Sequence, residues 1–493
     1  MANAARPLSI AIITNPPPRQ WQMNLASALR SAGHSVTHVI DAARSVERDG
    51  GVELLLEFER LVYGAGSDAF AQDDRASSES NASSDLSIDL REQPASDTDE
   101  MRLIPLFDGA PGEAALISVL MDARAPELAI VRWGDEPHVL AEGLPALERR
   151  NVLALGLDQV LARTADLLRQ CVSRFANGEQ MERRALSPAL RTRSRSAAVF
   201  AAKGLATKLK QRLTDLVVHP EHWSIAFCRV QGESVMERGE WPNVEWTHVP
   251  DDGARYFADP FPFSDNGRNY VFCEEYPYAT GKGIISLFEL INGRATNPRP
   301  IFERPYHLSY PFVFRRGSDV YMIPETSSVG RIELYRADPF PDRWIFERVL
   351  VEDVIASDAT LVKCEGRDWL FASIAAEGAS TWDSLGLFFA DDLFGAWAAH
   401  PLNPVLIDAG AARPGGAMLV RGDRLRRIAQ DCRALYGGGI VLADVERLDP
   451  EDYAQTLRAV LGPPPGSGAD GAHTLNVAGD YEFIDLIGKK RRI

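Results

Sequence analysis

The chain has 493 residues, more than a single hydrophobic core usually serves, so two or more domains are expected. Its 69 acidic residues outnumber 53 lysines and arginines, giving a formal net charge of −16, which excludes a nucleic-acid footprint because neutralising phosphates requires a basic face. The five cysteines, Cys171, Cys228, Cys273, Cys364 and Cys432, stand singly, so neither a disulfide framework nor a thiolate metal site is expected.

Residues 9 to 41 read as strand, helix, strand: "SIAIIT", then "QWQMNLASALRSAG" with Leu25, Leu29 and Ala32 on one face and Gly33 placed to end it, then "SVTHVID". Further strand-like runs, "RLIPLF" and "ELAIVRW", predict an α/β layer domain over residues 1–175. Its first turn, "NPPPRQW", has no glycine to let a backbone approach a pyrophosphate, so the dinucleotide fingerprint is absent and a scaffold role is expected. The N-terminus shows no long apolar run with a cleavage pattern, and no stretch reaches the ~18 apolar residues of a membrane span, so the expected location is cytoplasmic.

Residues 71–100 hold nine acidic residues and seven serines with few large apolar side chains, which predicts a disordered insertion. A linker over 176–221 follows, with nine lysines and arginines in 183–212. Such a basic, partly amphipathic helix fits either peripheral contact with an anionic membrane or a solvated interdomain spacer.

From residue 222 to 493 the texture turns to β. First strands align as "DPFPF" from Asp259, "YPFVF" from Tyr310, "DATLV" from Asp358, "GGAML" from Gly415 and "HTLNV" from His473, at spacings of 51, 48, 57 and 58 residues. Second strands follow as "NYVFCEE", "DVYMIPE", "DWLFAS", "RLRRIAQD" and "YEFIDLI". A period near 50 with three or four strands per unit predicts a β-propeller. The last repeat stops after two strands, and "HWSIAFCRV" with "VEWTHV" supplies its outer strands from the other end, so five blades are expected. The fold class is therefore multidomain, an N-terminal α/β domain followed by an all-β five-bladed propeller.

In "YFADPFPFSDNGRNYVFCEEY" the Asn-Gly pair predicts a tight hairpin, which brings Asp259 to the same edge as Glu274 and Glu275. The same rule in every blade converges these residues with Tyr310, Glu325, Asp358, Arg413, Gln430 and Asp431 on one funnel mouth, with Tyr436 nearby. Asp259, Glu325 and Asp358 are the candidate catalytic residues. Glu275, Tyr310, Arg413, Gln430, Asp431 and Tyr436 are the candidate substrate-binding residues. Carboxylates, an arginine and aromatic rings suit a sugar, whose hydroxyls take bidentate hydrogen bonds and whose C–H faces stack on rings. At the mouth, Asp259→Asn is expected to leave the fold intact. The nine histidines show no metal-ligand spacing, so no metal site is assigned, although carboxylates in the channel could hold a divalent cation.

Together "FADPF", "EEYPYATGKGIIS", "LSYPFVF", "YMIPETS", "SDAT", "ARPGGAML" and "QDC" with "YGGGI" resemble the five-bladed propeller shared by the N-terminal part of plant glucosamine inositolphosphorylceramide transferases and many uncharacterised bacterial proteins. That domain is similar in turn to the arabinanase and levansucrase propellers. The resemblance implies that Asp259 matches the arabinanase-type catalytic base and Asp358 the pKa-tuning aspartate. The general-acid glutamate of those hydrolases falls where this chain reads "ARPGG", with no carboxylate. In some bacterial members the upstream domain is formyltransferase-like, but the His-His-Gly-Asp type stretch is missing here, so formyl transfer is not implied. The expected function is a glycosyltransferase in glycolipid or polysaccharide assembly, acting on a sugar donor and a glycan or glycolipid acceptor. An arabinanase-like glycoside hydrolase and a non-catalytic sugar-binding propeller are the alternatives.

Overall fold

The computed structural model describes residues 6–41, 50–72, 84–94, 101–179, 181, 183–186, 196–376 and 378–492. The chain divides into two compact units, Met1–Lys210 with Ala376–Ser380, and Gln211–Ala375 with Thr381–Ile493.

In the first unit, strand Ser9–Thr14, helix Gln20–Ser31 and strand Ser35–Ile40 follow the order that the sequence periodicity predicts. The helix buries Trp21, Leu25, Ala26 and Leu29. It stops at Gly33, whose φ of +93° is the left-handed turn that glycine adopts without steric cost. Ser9–Thr14 lies between Ser35–Ile40 and Leu86–Asp89, parallel to both, and Arg102–Phe107 continues the parallel order before three antiparallel strands, Leu128–Trp133, His138–Gly143 and Arg184–Ala185. A cavity of about 1020 Å³ opens at the carboxyl ends of Ser9–Thr14 and Leu86–Asp89, lined in part by Asn15, Arg19, Glu92 and Glu113. Open α/β sheets place their crevice at such a reversal of winding.

Leu86–Asp89 corrects the composition-based reading of 71–100 as wholly disordered. Leu86 and Ile88 have no exposed surface and pair in register with Ile10 and Ile12. Two apolar residues at alternate positions suffice here, because strands on both sides satisfy the backbone. Residues 73–83 and 95–100 lie outside the described residues. In the basic stretch, Ala197–Asp215 is a helix, while 187–195 also lie outside the described residues.

The second unit is the five-bladed propeller. Its first blade is Arg255–Asp265, Arg268–Pro277 and Ile284–Ile291 with two short outer strands, and the second is Ser309–Arg316, Asp319–Glu325, Ile332–Ala337 and Trp344–Val351. The third holds Ile355–Cys364, Arg367–Ala375 and Ser384–Ala390, again with short outer strands. Leu419–Arg421, Arg424–Gln430, Ile440–Leu448 and Tyr453–Leu461 form the fourth. The fifth pairs Leu475–Ala478 and Tyr481–Arg491, from the end of the chain, with Val218–Arg229 and Thr247–His248 from the start of the unit. Closure thus joins the two ends of the domain in one four-stranded blade.

The first hairpin turns on Asn266 and Gly267, with φ of +47° and +77°, the geometry that an Asn-Gly pair favours. Adjacent blades bury alternate apolar residues against each other, as with Phe261 and Phe272 of the first blade, Phe312 and Leu334 of the second, and Leu361 and Leu370 of the third. In the fourth blade the inner ladder begins only at Leu419, later than the Gly415 expected from the repeat. Gly415 and Gly416 instead let the backbones of the fourth and fifth blades approach. A Cβ on Gly416 would lie 2.1 Å from the Leu475 carbonyl oxygen, and one on Gly415 would lie 2.7 Å from that of His473.

Candidate functional site

Three blades repeat one local device at the start of their inner strand. Strand pairing slips between Ala258 and Phe261, between Ser309 and Phe312, and between Ser357 and Thr360. Inside each slip one non-glycine residue takes the left-handed conformation: Asp259 at φ +50°, Tyr310 at +43° and Asp358 at +57°. Each such residue costs about 1 kcal/mol or more, and bulges of this kind re-aim a side chain out of the alternating pattern.

Hydrogen bonds between blades hold these bulges. The Asp259 amide donates to Asp485 Oδ2 at 2.8 Å, and the Tyr310 amide donates to Asp259 Oδ2 at 3.0 Å. Thr474 Oγ1 donates to Asp259 Oδ1 at 2.9 Å. The fifth, first and second blades are therefore linked in sequence around the axis through buried carboxylates.

Asp358 lies at the other focus of the cluster. Its Oδ2 accepts Arg413 Nε–H at 2.7 Å and Gln430 Nε2–H at 2.8 Å. Arg413 also donates to Thr381 Oγ1 at 3.0 Å and to the Tyr436 hydroxyl at 3.1 Å, and it stands 3.8 Å from Glu325 Oε2. Burial pushes the Asp358 carboxyl up to about 8, with Arg413 pulling the other way and Glu325 and Asp259 adding to the rise. Burial opposes the charge of Arg413, but Asp358, Tyr436 and Glu325 overcome it and hold the guanidinium above its usual range. Arg413 is a fixed cation.

Burial also raises Asp259, opposed by His473 and reinforced by Asp485. His473 donates Nδ1–H to Asp485 Oδ2 at 2.7 Å and turns Nε2 to within 3.6 Å of Asp259 Oδ1. Burial works against its charge, yet Asp485 and Asp259 outweigh that and raise the imidazole. Trp223 stacks on the same ring at 3.9 Å between centroids, and Tyr436 meets it edge-on at 5.4 Å. Asp259, His473 and Asp485 offer ligand atoms within 4.8 Å of one another, a separation that a cation could bridge. Their oxygens are already engaged, however, since Asp485 Oδ1 also accepts the His473 and Thr474 amides at 3.1 and 2.9 Å. The trio works as a hydrogen-bond network.

Not every residue expected at the mouth faces a ligand. Tyr310 is fully buried, its hydroxyl shared with Thr360 Oγ1 and the Gly416 amide at 2.8 Å each, and Gln430 is fully buried and spends its amide on Asp358 and the Pro414 carbonyl. These two hold the framework. Glu275 pairs with Arg255 and accepts the Ser286 hydroxyl, because its strand turns successive side chains to opposite faces. Glu274 is the one beside the cluster. Burial raises it well above the usual carboxylate range, and Asp259, Glu325, Asp485 and Asp358 add to the rise. Its Oε1 accepts no hydrogen bond, and His307 Nε2 lies 3.4 Å away. Asp431 is bound by Arg433 at 2.7 and 2.9 Å. Glu325, His307 and Tyr436 retain partial exposure, while Asp259, Asp358 and Arg413 expose only 3–5 %. The expected open funnel is thus a closed, deeply set cluster at this point.

Sequence reasoning passed over His473, Asp485 and Trp223. The signal for the first two was present: His473 opens the fifth first strand and Asp485 ends the run "YEFID", the same corner that marked Asp259 and Glu274.

Residues 245–461 match the family model described as "Glucosamine inositolphosphorylceramide transferase 1, N-terminal". The matched residues lie within the propeller. The chain is similar to proteins named glucosamine inositolphosphorylceramide transferase 1, 30% identical over 237 residues in Oryza sativa subsp. japonica and 33% over 230 residues in Arabidopsis thaliana. The alignments cover 46% and 44% of this chain and 32% and 30% of those proteins, so the matched segment spans about a third of each relative. Among solved structures, a family 117 glycoside hydrolase of the marine bacterium Zobellia galactanivorans aligns at 14% identity with a TM-score of 0.34, over 54% of this chain and 90% of that one.

Proposed function

We propose that the propeller is a carbohydrate-active catalytic domain that transfers a glycosyl group from a phosphate-bearing sugar donor to a glycan or glycolipid acceptor. The observation that carries this reading is Arg413, a buried guanidinium fixed by Asp358, Thr381 and Tyr436 in the blade where the resemblance to arabinanase-type hydrolases calls for an acidic residue. A departing phosphate needs charge stabilisation more than a proton, and a preorganised cation in a water-poor site supplies it at low reorganisation cost. In this scheme Asp259 receives the acceptor proton. Asp358 holds Arg413 in place, and Glu325, at the half-exposed rim, contacts the sugar. Similarity to relatives named as transferases supports the reading.

One observation favours a hydrolase as second reading. Glu274 is a buried carboxyl raised above its ordinary range, and a proton-bearing acid is what assisted departure of a sugar alcohol requires. Purified protein incubated with a panel of nucleotide sugars and, separately, aryl glycosides distinguishes the two. Transfer expects donor consumption that Asp259→Asn abolishes; release of the aryl alcohol without donor turnover overturns it in favour of hydrolysis.

A further inference from the structure

His307 sits on the loop between strands Arg299–Phe302 and Ser309–Arg316, and that loop is fixed to the residues just before strand Ile284–Ile291. The Leu308 amide donates to the Gly283 carbonyl at 3.1 Å, and Lys282 Nζ donates to the Arg304 carbonyl at 2.6 Å and to Glu303 Oε1 at 2.9 Å. In return the Gly283 amide donates to His307 Nδ1 at 2.9 Å. A ring nitrogen that accepts a hydrogen bond carries no hydrogen, so the neutral imidazole bears its hydrogen on Nε2. Burial holds His307 below its ordinary range, against the pull of Glu325 and Asp259, which keeps the ring neutral at pH 7.

Glu274 Oε1 stands 3.4 Å from His307 Nε2 yet receives no hydrogen bond, so the Nε2–H is directed off the line between them. The His307 side chain is 38% exposed, over a Glu274 side chain that is 7% exposed. Gly283 makes this approach possible. A Cβ there would lie 2.6 Å from His307 Cε1 and 2.7 Å from Glu274 Oε1. Tyr276, half-buried and stacked on Tyr256, stands beside the imidazole at 6.1 Å between ring centroids. A buried carboxyl oxygen is costly to leave without a hydrogen bond, so Glu274 beside a half-exposed donor points to a group that binds there.

We propose that His307 and Glu274 form a subsite for one hydroxyl of a sugar, whose oxygen accepts the His307 Nε2–H and whose own hydrogen turns toward the Glu274 carboxyl. The ligand class rests on the reading above that the propeller acts on a carbohydrate. The chemistry of the pair selects a hydroxyl, which donates and accepts at one atom. An ammonium cannot accept from an imidazole N–H, and a phosphate would stand among the carboxyls of Glu274, Glu325 and Asp259, all of which act on one another or on His307. His307 is a binding residue in this scheme, since its other nitrogen is tied to the Gly283 amide.

The test is NMR of the histidine ring nitrogens in the isotopically labelled full chain, titrated with a panel of methyl glycosides. The His307 signals, assigned by their loss in His307→Gln, are expected to show the hydrogen on Nε2, and the Nε2 signal is expected to move with at least one glycoside. His307→Phe keeps a ring but has no donor, and is expected to bind that glycoside about tenfold more weakly with an unchanged circular dichroism spectrum. His307→Gln, whose amide NH2 reaches the Nε2 position, is expected to stay within about threefold of the parent. A hydrogen on Nδ1, an Nε2 signal that no glycoside moves, or equal binding by the phenylalanine variant and the parent overturns the proposal. Glycoside binding at His307 without donor turnover keeps the subsite and removes the transferase, whereas donor turnover with the parent's KM in His307→Phe removes the subsite alone.

Discussion

The Tyr310 amide donates to Asp259 Oδ2 at 3.0 Å, so the left-handed bulge of the second blade is held by the carboxylate of the first. The second oxygen of Asp259 accepts Thr474. Sequence alone treated Asp259 as a mouth position with little structural duty, but Asp259→Asn replaces one of two engaged acceptors by an NH2 group. We expect a loss of about 1–3 kcal/mol of stability, seen as a lower thermal midpoint, alongside a fall in turnover of about 100-fold or more in the protein that remains folded. Turnover equal to the parent would remove Asp259 from the chemistry.

Asp358 links the site to pH. Its carboxyl is raised from 3.8 to about 8 chiefly by burial. The folded protein therefore keeps the proton where the unfolded chain has lost it. The stabilisation from this group is complete below about pH 4 and is lost progressively as pH rises toward 8. Asp358→Asn fixes a neutral side chain, so its denaturation midpoint is expected to depend less on pH over that window than the parent's. Equal slopes for parent and variant in urea titrations from pH 5 to pH 8 would contradict the assignment.

Glu274 and Glu275 are adjacent yet differ in surroundings, and their glutamine variants are expected to separate. Glu275→Gln breaks a buried pairing with Arg255 and is expected to cost about 1–3 kcal/mol with turnover changed only a few-fold. Glu274→Gln keeps the shape of a neutral carboxyl but has no acidic proton to give, so stability is expected to hold within about 1 kcal/mol. Under the hydrolase reading its turnover falls about 100-fold, whereas under the transferase reading it falls much less. Comparing urea midpoints and rates for both variants decides the matter.

Arg413→Lys keeps the charge but cannot reach Asp358, Thr381 and Tyr436 at once, since an ammonium lacks the planar fork of a guanidinium. Turnover on a phosphate-bearing donor is expected to fall about 100-fold, with most of the loss in kcat if the contact forms with the departing phosphate. A loss confined to KM would assign Arg413 to ground-state binding instead.

The repeat near 50 residues, the Asn266-Gly267 turn and the two half-blades at the ends of the domain were enough to specify five blades, because strand periodicity and turn chemistry are local and the closure rule follows from counting strands. Asp259, Asp358 and Arg413 were legible for the same reason, each standing at a repeated corner. Other features were decided only by tertiary structure. The strand Leu86–Asp89 forms within an acidic, serine-rich stretch because neighbouring strands satisfy its backbone, a compensation that composition does not record. The division between Glu274 and Glu275, the burial of Tyr310 and Gln430, and the His473–Asp485 pair beside Asp259 depend on bulges and on blades brought together from more than 200 residues apart. Side-chain direction at a bulge leaves the period of two, so which carboxylate meets which partner is fixed by the packing of one blade on the next.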